Sequence, residues 1–508
     1  MRQAAVWAAG FFGRIAGHKA LCCLSLGAFV LALRAALLPI WPIPQPTIYD
    51  EFCYGLQADT FAHGRLTNPT HPLWPFFESI YVLQRPSYTA KYQPAQGFVM
   101  ALGQKITGHA WFGVWLSCGV LAALVCWAAQ GWLPPLPALA AGILVLQLCF
   151  YSYWMNSYWG GAVPGIGGCL VLGAWGRLRS GPRRLPAALV AAGAMILLLS
   201  RPYEGTLLIL PVFWMLRQRL RSPLVWAPMA LILGAGISWT AFYNYRVTGN
   251  AWRLPYHEYF LQYETVPQFN ILPVSSGTRE LRHRDFELLD KGWLLDAYQK
   301  ARSPRFPLTR AHDWYITLKH LLGGVLPIVP LLVFGPVLLI RKETRPLAFL
   351  ALVMVAGSFV EVAQYPHYAA PFLAVFAILA AQALRRMGPA GAVLLVASLA
   401  YAAATDAVAI YRRSTPDRFA ANNARKSAIE RRVASANPRG SVIFVRYTSV
   451  RIPHEEWIYN EADIDRSPVI WAQDMGEAEN RRLIEYFAGR AMWLFQPDES
   501  LDTLTAYP

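Results

Sequence analysis

The feature that most constrains this chain is a series of apolar runs, each close to the roughly 20 residues that cross a hydrocarbon core. The first spans Leu21 to Ile40, and others follow at about 109–131, 134–150, 162–178, 185–200, 205–217, 223–243, 321–340, 346–362, 369–386 and 389–408. Charged residues make up only 15% of the 508 positions. A soluble domain carries about 25%, so too little polar surface exists to cover this much apolar chain in water. The sequence predicts a mainly α, polytopic transmembrane bundle of about 11 helices.

The charges orient that bundle. A net charge of +16 would suit nucleic acid, but the basic residues stand in short clusters between apolar runs. The clusters are Arg177, Arg179, Arg183 and Arg184; Arg217, Arg219 and Arg221; Arg341, Lys342 and Arg345; and Arg385 with Arg386. This is the positive-inside pattern of cytoplasmic loops, and it excludes a nucleic-acid partner. A cytoplasmic N-terminus puts all four clusters inside. Outside are then 41–108, 151–161, 201–204, 244–320, 363–368 and the tail from about 409. Tyr151, Tyr153, Trp154, Tyr158 and Trp159 crowd an outer edge as an interfacial aromatic belt does. Arg34, the one charge well inside the first run, is expected to snorkel toward the outer interface. That run follows Arg2, Arg14 and Lys19 as a signal peptide would, but it is long and lacks a small-x-small cleavage site, so it reads as a retained first helix. Six of seven cysteines lie in or beside apolar runs and Cys53 stands alone in a polar loop, which gives neither a disulfide framework nor zinc spacing.

Two domains are expected. Residues 1–408 form the bundle, including outer loops 41–108 and 244–320, and 409–508 form a small α/β domain on the outer side. Within the tail, 416–436 reads as a polar helix; Ser441–Tyr447, Pro468–Ala472 and Ala491–Phe495 read as strands. Glu477–Gly489 has helical spacing, with Leu483, Ile484 and Phe487 on one face.

Chemistry concentrates in the first outer loop. It opens Pro46-Thr47-Ile48-Tyr49-Asp50-Glu51-Phe52 and closes Lys91-Tyr92-Gln93-Pro94, followed by an amphipathic stretch from Ala95 to Thr107. A loop of this length without a task is uncommon. Arg201 and Glu204 are charged residues between two apolar runs, where ionisable groups usually face a cavity or a partner. His367, in Gln364-Tyr365-Pro366-His367-Tyr368, occupies a similar position, and His71 lies mid-loop. Asn156 and Tyr158-Trp159-Gly160-Gly161 could floor a cavity, or the glycines could serve helix packing.

These motifs resemble the GT-C superfamily of polyprenyl-phosphate-dependent glycosyltransferases, of the protein O-mannosyltransferase and lipid A aminoarabinose transferase types. Asp50-Glu51 is similar to the acidic pair such enzymes carry soon after the first membrane helix. Lys91 and Pro94 are similar to their Lys/Tyr-Pro-Pro element, although Gln93 replaces the first proline. The resemblance covers roughly the first 200 residues. It implies transfer of a sugar from a polyprenyl-phosphate donor to a lipid, glycan or protein acceptor, outside the cytoplasm at a bacterial inner membrane.

The chemistry agrees with those residue types. A carboxylate takes the acceptor proton, for which Asp50 is the candidate base, with Glu51 orienting it or contacting the acceptor. Cationic groups hold the leaving phosphate, for which Lys91, Arg201 and His367 are candidates. Tyr92, Glu204, His71 and Asn156 complete the expected substrate-binding set. One Asp-Glu pair supplies too few oxygens for a divalent metal, so no cofactor is expected. Two rivals remain: a flippase or transporter of lipid-linked sugar, which needs ionisable groups near the midplane in two related halves, and a glycan ligase using the same donor class.

Overall fold

In the computed structural model, residues 13, 16–412, 418–447, 456–501 and 503–507 are described. Helix α1 (Lys19–Ala36) leads into the first outer loop, which is itself folded: α2 (Tyr49–Ala62), a two-stranded ribbon of β1 (Val82–Leu83) with β2 (Thr89–Ala90), and α3 (Ala95–Thr107). The bundle continues with α4 (Trp111–Ala129), α5 (Pro135–Leu144), α6 (Leu146–Phe150), α7 (Ala162–Leu178), α8 (Arg184–Leu198), α9 (Pro202–Leu216) and α10 (Pro223–Thr248). An outer segment holds α11 (Pro255–Tyr263) and α12 (Phe306–Leu321). Then come α13 (Ile328–Ile340), α14 (Arg345–Ser358), α15 (Leu373–Arg386) and α16 (Pro389–Arg412).

Among the described residues, five helices are long and apolar enough to span a membrane, and six shorter apolar helices accompany them. These fall on the expected runs. Their surroundings differ in a way lipid explains. The window beginning at Pro366 and running through α15 is almost wholly buried, whereas α10 and α16 keep most of their apolar surface exposed. Leu231, Leu210, Trp214, Val393 and Val396 project from the bundle. So large an apolar surface is unstable against water and suits acyl chains. The protein is an integral membrane protein.

Small residues bring the inner helices together. A Cβ on Gly113 of α4 would stand 2.0 Å from the Val99 carbonyl oxygen of α3, and one on Gly168 of α7 would stand 2.0 Å from that of Pro371. Such contacts let backbones approach where no hydrophobic effect drives association.

The two ends of the bundle separate the charges. At one end, Arg177 bonds the Trp127 carbonyl at 3.1 Å, Arg219 bonds the Arg179 carbonyl at 2.8 Å, and Gln130 reaches the Lys19 carbonyl at 3.0 Å. At the other end meet the segments around Arg34, Asp50, Asn156, Arg201 and His367. Arg34 is not snorkelled into solvent. It is fully buried, bonded to Asn156 Oδ1 at 2.9 Å and to the carbonyls of Trp41 and Pro42 at 2.8 and 3.0 Å. The chain turning back over the end of α1 supplies those carbonyls, so a protein partner replaces water.

The C-terminal region has helix α17 (Arg418–Ala436) and strands β3 (Ser441–Val445), β4 (Val469–Gln473), β5 (Ala491–Phe495) and β6 (Leu504–Ala506), with α18 (Glu477–Tyr486) between β4 and β5. The order is β4-β3-β5-β6, parallel except for β6, which the sequence reading did not foresee. Strand β3 is buried on both faces, as its unbroken apolar run requires. Ile443 and Val445 pack with Ile429 and Val433 of α17, while Val442 and Phe444 join the cluster containing Phe76, Phe77 and Tyr49 of the first outer loop. The sheet is thus clamped between its own helix and that loop. Tyr459 Oη donates to the Ile80 carbonyl at 3.2 Å, the Ala462 amide to Asp59 at 2.9 Å, and Phe52 stacks on Tyr459 at 4.1 Å.

Candidate active site

Asp50 and Glu51 are neighbours in sequence but not in role. Both lie in the first turn of α2, where the helix dipole favours negative charge. Glu51 is buried, and both its oxygens are committed. Oε2 accepts from the Thr47 amide at 2.5 Å, the Thr47 hydroxyl at 2.8 Å and the Ile48 amide at 3.2 Å; Oε1 accepts from the Tyr158 amide at 3.0 Å. It closes the start of α2 and pins the 151–161 segment to it. Asp50 is half-buried. Its Oδ1 accepts from the Tyr92 hydroxyl at 2.5 Å, and among the described residues no donor reaches Oδ2. One oxygen is held and one is free, as a positioned base needs.

Lys91 is closed in. Its ammonium pairs with Glu264 Oε1 at 3.1 Å, with both side chains almost wholly buried. It sits 3.5 Å over the ring of Tyr81, 4.5 Å over Tyr256 and 4.7 Å over Tyr259. Burial pulls the Lys91 ammonium below its ordinary pKa, while Glu264 and then Asp50 push it back up. Tyr81 has φ 68°, a left-handed conformation that costs a bulky residue about 1–3 kcal/mol. Bonds from the Lys91 amide to its carbonyl and from its own amide to Tyr259 Oη, both 3.0 Å, hold it there, and that conformation puts the ring beneath the cation. The lysine expected to bind phosphate is therefore satisfied by the protein.

Arg201 is the opposite case. It caps α9, and its guanidinium lies 4.3 Å over Tyr368, with Glu204 Oε1 no nearer than 3.6 Å and about a quarter of the side chain exposed. Glu204 is buried beside it. The pair is more than a closed turn, because Arg201 also faces Tyr368. The Ala95 amide bonds the Leu199 carbonyl at 2.9 Å, which ties the segment of Tyr92, the partner of Asp50, to the segment of Arg201. Burial raises the Tyr54 hydroxyl, Arg201 lowers it and Asp50 raises it; Tyr256, raised well above its ordinary value by burial, feels the same two opposed charges. Tyr54 in turn stacks on Tyr92 at 4.8 Å.

The remaining expected residues divide. His367 is buried, with Nδ1 2.8 Å from Tyr153 Oη and its ring 4.6 Å from Trp159. It belongs to the same end as Arg201 and is enclosed by the rings of Tyr153, Trp159, Tyr365 and Tyr368. Asn156 serves the fold: Oδ1 holds Arg34, and Nδ2 donates to the Phe150, Tyr151 and Ser152 carbonyls. His71 lies against the C-terminal region, with Nε2 3.0 Å from Asp465 Oδ1 and the ring against Phe77 and Tyr486, so it links the first loop to that region. The glycines at 160 and 161 are packing residues, since a Cβ on either would strike Trp154 within 2.5 Å. Cys53 is buried in α2, not in a loop, and all seven cysteines are free. Among the described residues, no three His, Cys, Asp or Glu side chains converge as metal ligands.

Sequence reading missed Glu264, the tyrosines of α11, Arg310 and Glu361. The tyrosine spacing at 256, 259 and 263 was the available signal, marking one face of a helix. Arg310 is fully buried, donates to the Glu361 carbonyl at 2.6 Å and lies 3.6 Å from Asp313. Two glutamines carry a further anomaly. Neither amide atom of Gln93 or Gln364 has a hydrogen-bond partner, and all four atoms are shut off from solvent. An unmade bond of this kind costs about 1–3 kcal/mol per group.

Fold and site together define a polytopic helical membrane bundle with an ionisable cluster gathered at one end. The chain shares this fold with ArnT from Cupriavidus metallidurans, solved in the apo state, at a TM-score of 0.50 and 16% identity over 93% of this chain and 94% of that one. No family model and no curated protein sequence matches it.

Proposed function

We propose that this protein is a membrane glycosyltransferase that moves a sugar from a polyprenyl-phosphate donor to an acceptor hydroxyl. The observation that carries the reading is a half-buried carboxylate, Asp50, with one oxygen held by Tyr92, on a loop that the bond from the Ala95 amide to the Leu199 carbonyl ties to the segment of the mostly buried Arg201, at one end of a lipid-embedded bundle. Asp50 Oδ2 takes the acceptor proton as the acceptor oxygen attacks the anomeric carbon. The bond from that carbon to the phosphate oxygen breaks, and the polyprenyl phosphate leaves with the electron pair. Arg201 neutralises the charge that grows on the phosphate. Tyr92 holds Asp50 in place, and the Lys91–Glu264 pair fixes the wall behind it. The motif resemblance in the first outer loop and the fold shared with ArnT both support this class. The positive-inside pattern supports a site on the outer face of a bacterial inner membrane, with the N-terminus cytoplasmic and the C-terminal domain outside. A transporter would concentrate ionisable groups near the midplane, whereas this cluster sits at one end.

Native mass spectrometry of the purified full-length protein tests the lipid. A bound polyprenyl phosphate that disappears in Arg201→Ala is the expected result. Retention of that lipid in the variant at wild-type occupancy would remove Arg201 from the phosphate site.

A further inference from the structure

Gln93 and Gln364 stand where the reaction needs something the rest of the site does not supply. Gln93 follows Tyr92, which is bonded to Asp50, and precedes Pro94-Ala95, whose Ala95 amide is bonded to the Leu199 carbonyl two residues before Arg201. It therefore bridges the base and the phosphate anchor along the chain. Gln364 precedes Tyr365, whose ring lies 5.6 Å from that of Tyr368, the ring beneath Arg201. Native proteins pair nearly all buried polar atoms. Two buried amides with both polar atoms unpartnered, one on the segment of Asp50's partner and one on the segment of Arg201's, are therefore arranged for a ligand.

An amide presents an acceptor and a donor side by side and carries no charge, which matches adjacent hydroxyls on a sugar ring. The ring of a glycosyl donor has to lie between the base and the phosphate. We infer that Gln93 and Gln364 read the ring hydroxyls of the transferred sugar, so that the donor class is a sugar with adjacent free hydroxyls. This rests on the reading of Asp50 as base and Arg201 as phosphate anchor. Gln93 is also where this sequence departs from the Pro of the resembled element, so the reader is a feature of this chain.

The test measures affinities of the full-length protein in nanodiscs for bare polyprenyl phosphate, the same lipid carrying a hexose or pentose, and their 2-deoxy counterparts. At least one hydroxyl-bearing form should bind about tenfold tighter than the bare lipid, the increment of one good hydrogen-bonded contact. Gln93→Leu and Gln364→Leu should each lose that excess while holding the bare lipid within about twofold. Gln93→Leu removes unpartnered polar atoms at similar volume, so its ligand-free melting temperature should stay level or rise. A purely structural glutamine would lower it. Full retention of the excess in either variant, a parallel loss of melting temperature and bare-lipid affinity, or no sugar-dependent excess in the wild type overturns the inference. Failure of the wild type to bind even the bare lipid brings down the donor reading with it.

Discussion

The two ends of the bundle carry the same residue type to opposite effect. At the basic end, arginines such as Arg217 and Arg341 lie at the ends of helices, exposed, and bond carbonyls of neighbouring turns where they bond at all. At the other end, Arg34 and Arg310 are fully buried and Arg201 is mostly so. Exposed arginines need no partner, because water solvates them. A buried guanidinium needs one: Arg34 has an amide and two carbonyls, Arg310 has the Glu361 carbonyl with Asp313 at 3.6 Å, and Arg201 has Glu204 at 3.6 Å. The difference teaches where to look: the first end answers to topology, the second to binding.

The largest break would come at Asp50. Asp50→Asn keeps the shape and removes the base, so transfer should fall by about 10²–10⁴ in a single-turnover assay while the polyprenyl phosphate stays bound. Near-normal turnover would take the base role from Asp50. Lys91→Ala comes next, and its effect should be on stability. Leaving Glu264 buried and unpaired costs about 3–5 kcal/mol, to be read by thermal unfolding in detergent. Loss of donor affinity with unchanged melting would instead return Lys91 to the phosphate.

Arg201→Ala against Arg217→Ala sharpens the comparison of the two ends directly. The first should weaken bare polyprenyl phosphate by at least about tenfold, and the second should leave it unchanged. Asn156→Ala strips Arg34 of one of its three acceptors and should destabilise by about 1–3 kcal/mol without altering donor affinity.

The smallest effect concerns pH. Burial lowers the His71 pKa below its ordinary value of 6.5, against the pull of Asp465. A His whose native pKa is depressed binds fewer protons folded than unfolded, so its contribution is complete above 6.5 and lost as pH falls through the native value. Hydrogen exchange at residues 71–77 should speed up below pH 6.5, and His71→Gln should flatten that dependence.

The apolar runs and the tail were legible because period and composition are local. Ala95–Thr107 and Ala491–Phe495 were read to the residue. The site was legible in part, for a different reason. Asp50 and Arg201 stood out because charge at a membrane boundary demands an explanation. Glu51 resembled Asp50 in sequence, and only the approach of Tyr158, 107 positions away, consumes it. Lys91 looked free because Glu264 lies 173 positions on. Pairings at such separations leave no periodic trace.

The clamp of the final hundred residues on the first outer loop has a consequence for biosynthesis. The ribosome delivers α2 long before Tyr459, Asn460 and Ala462, the groups that bond Ile80, Tyr88 and Asp59. A nascent chain therefore carries its acid-bearing loop unroofed, with Phe52 lacking the ring it stacks on, until synthesis has passed residue 462. A stop codon after residue 412 should thus give a membrane-integrated product whose loop is cut by added protease, while the full chain resists.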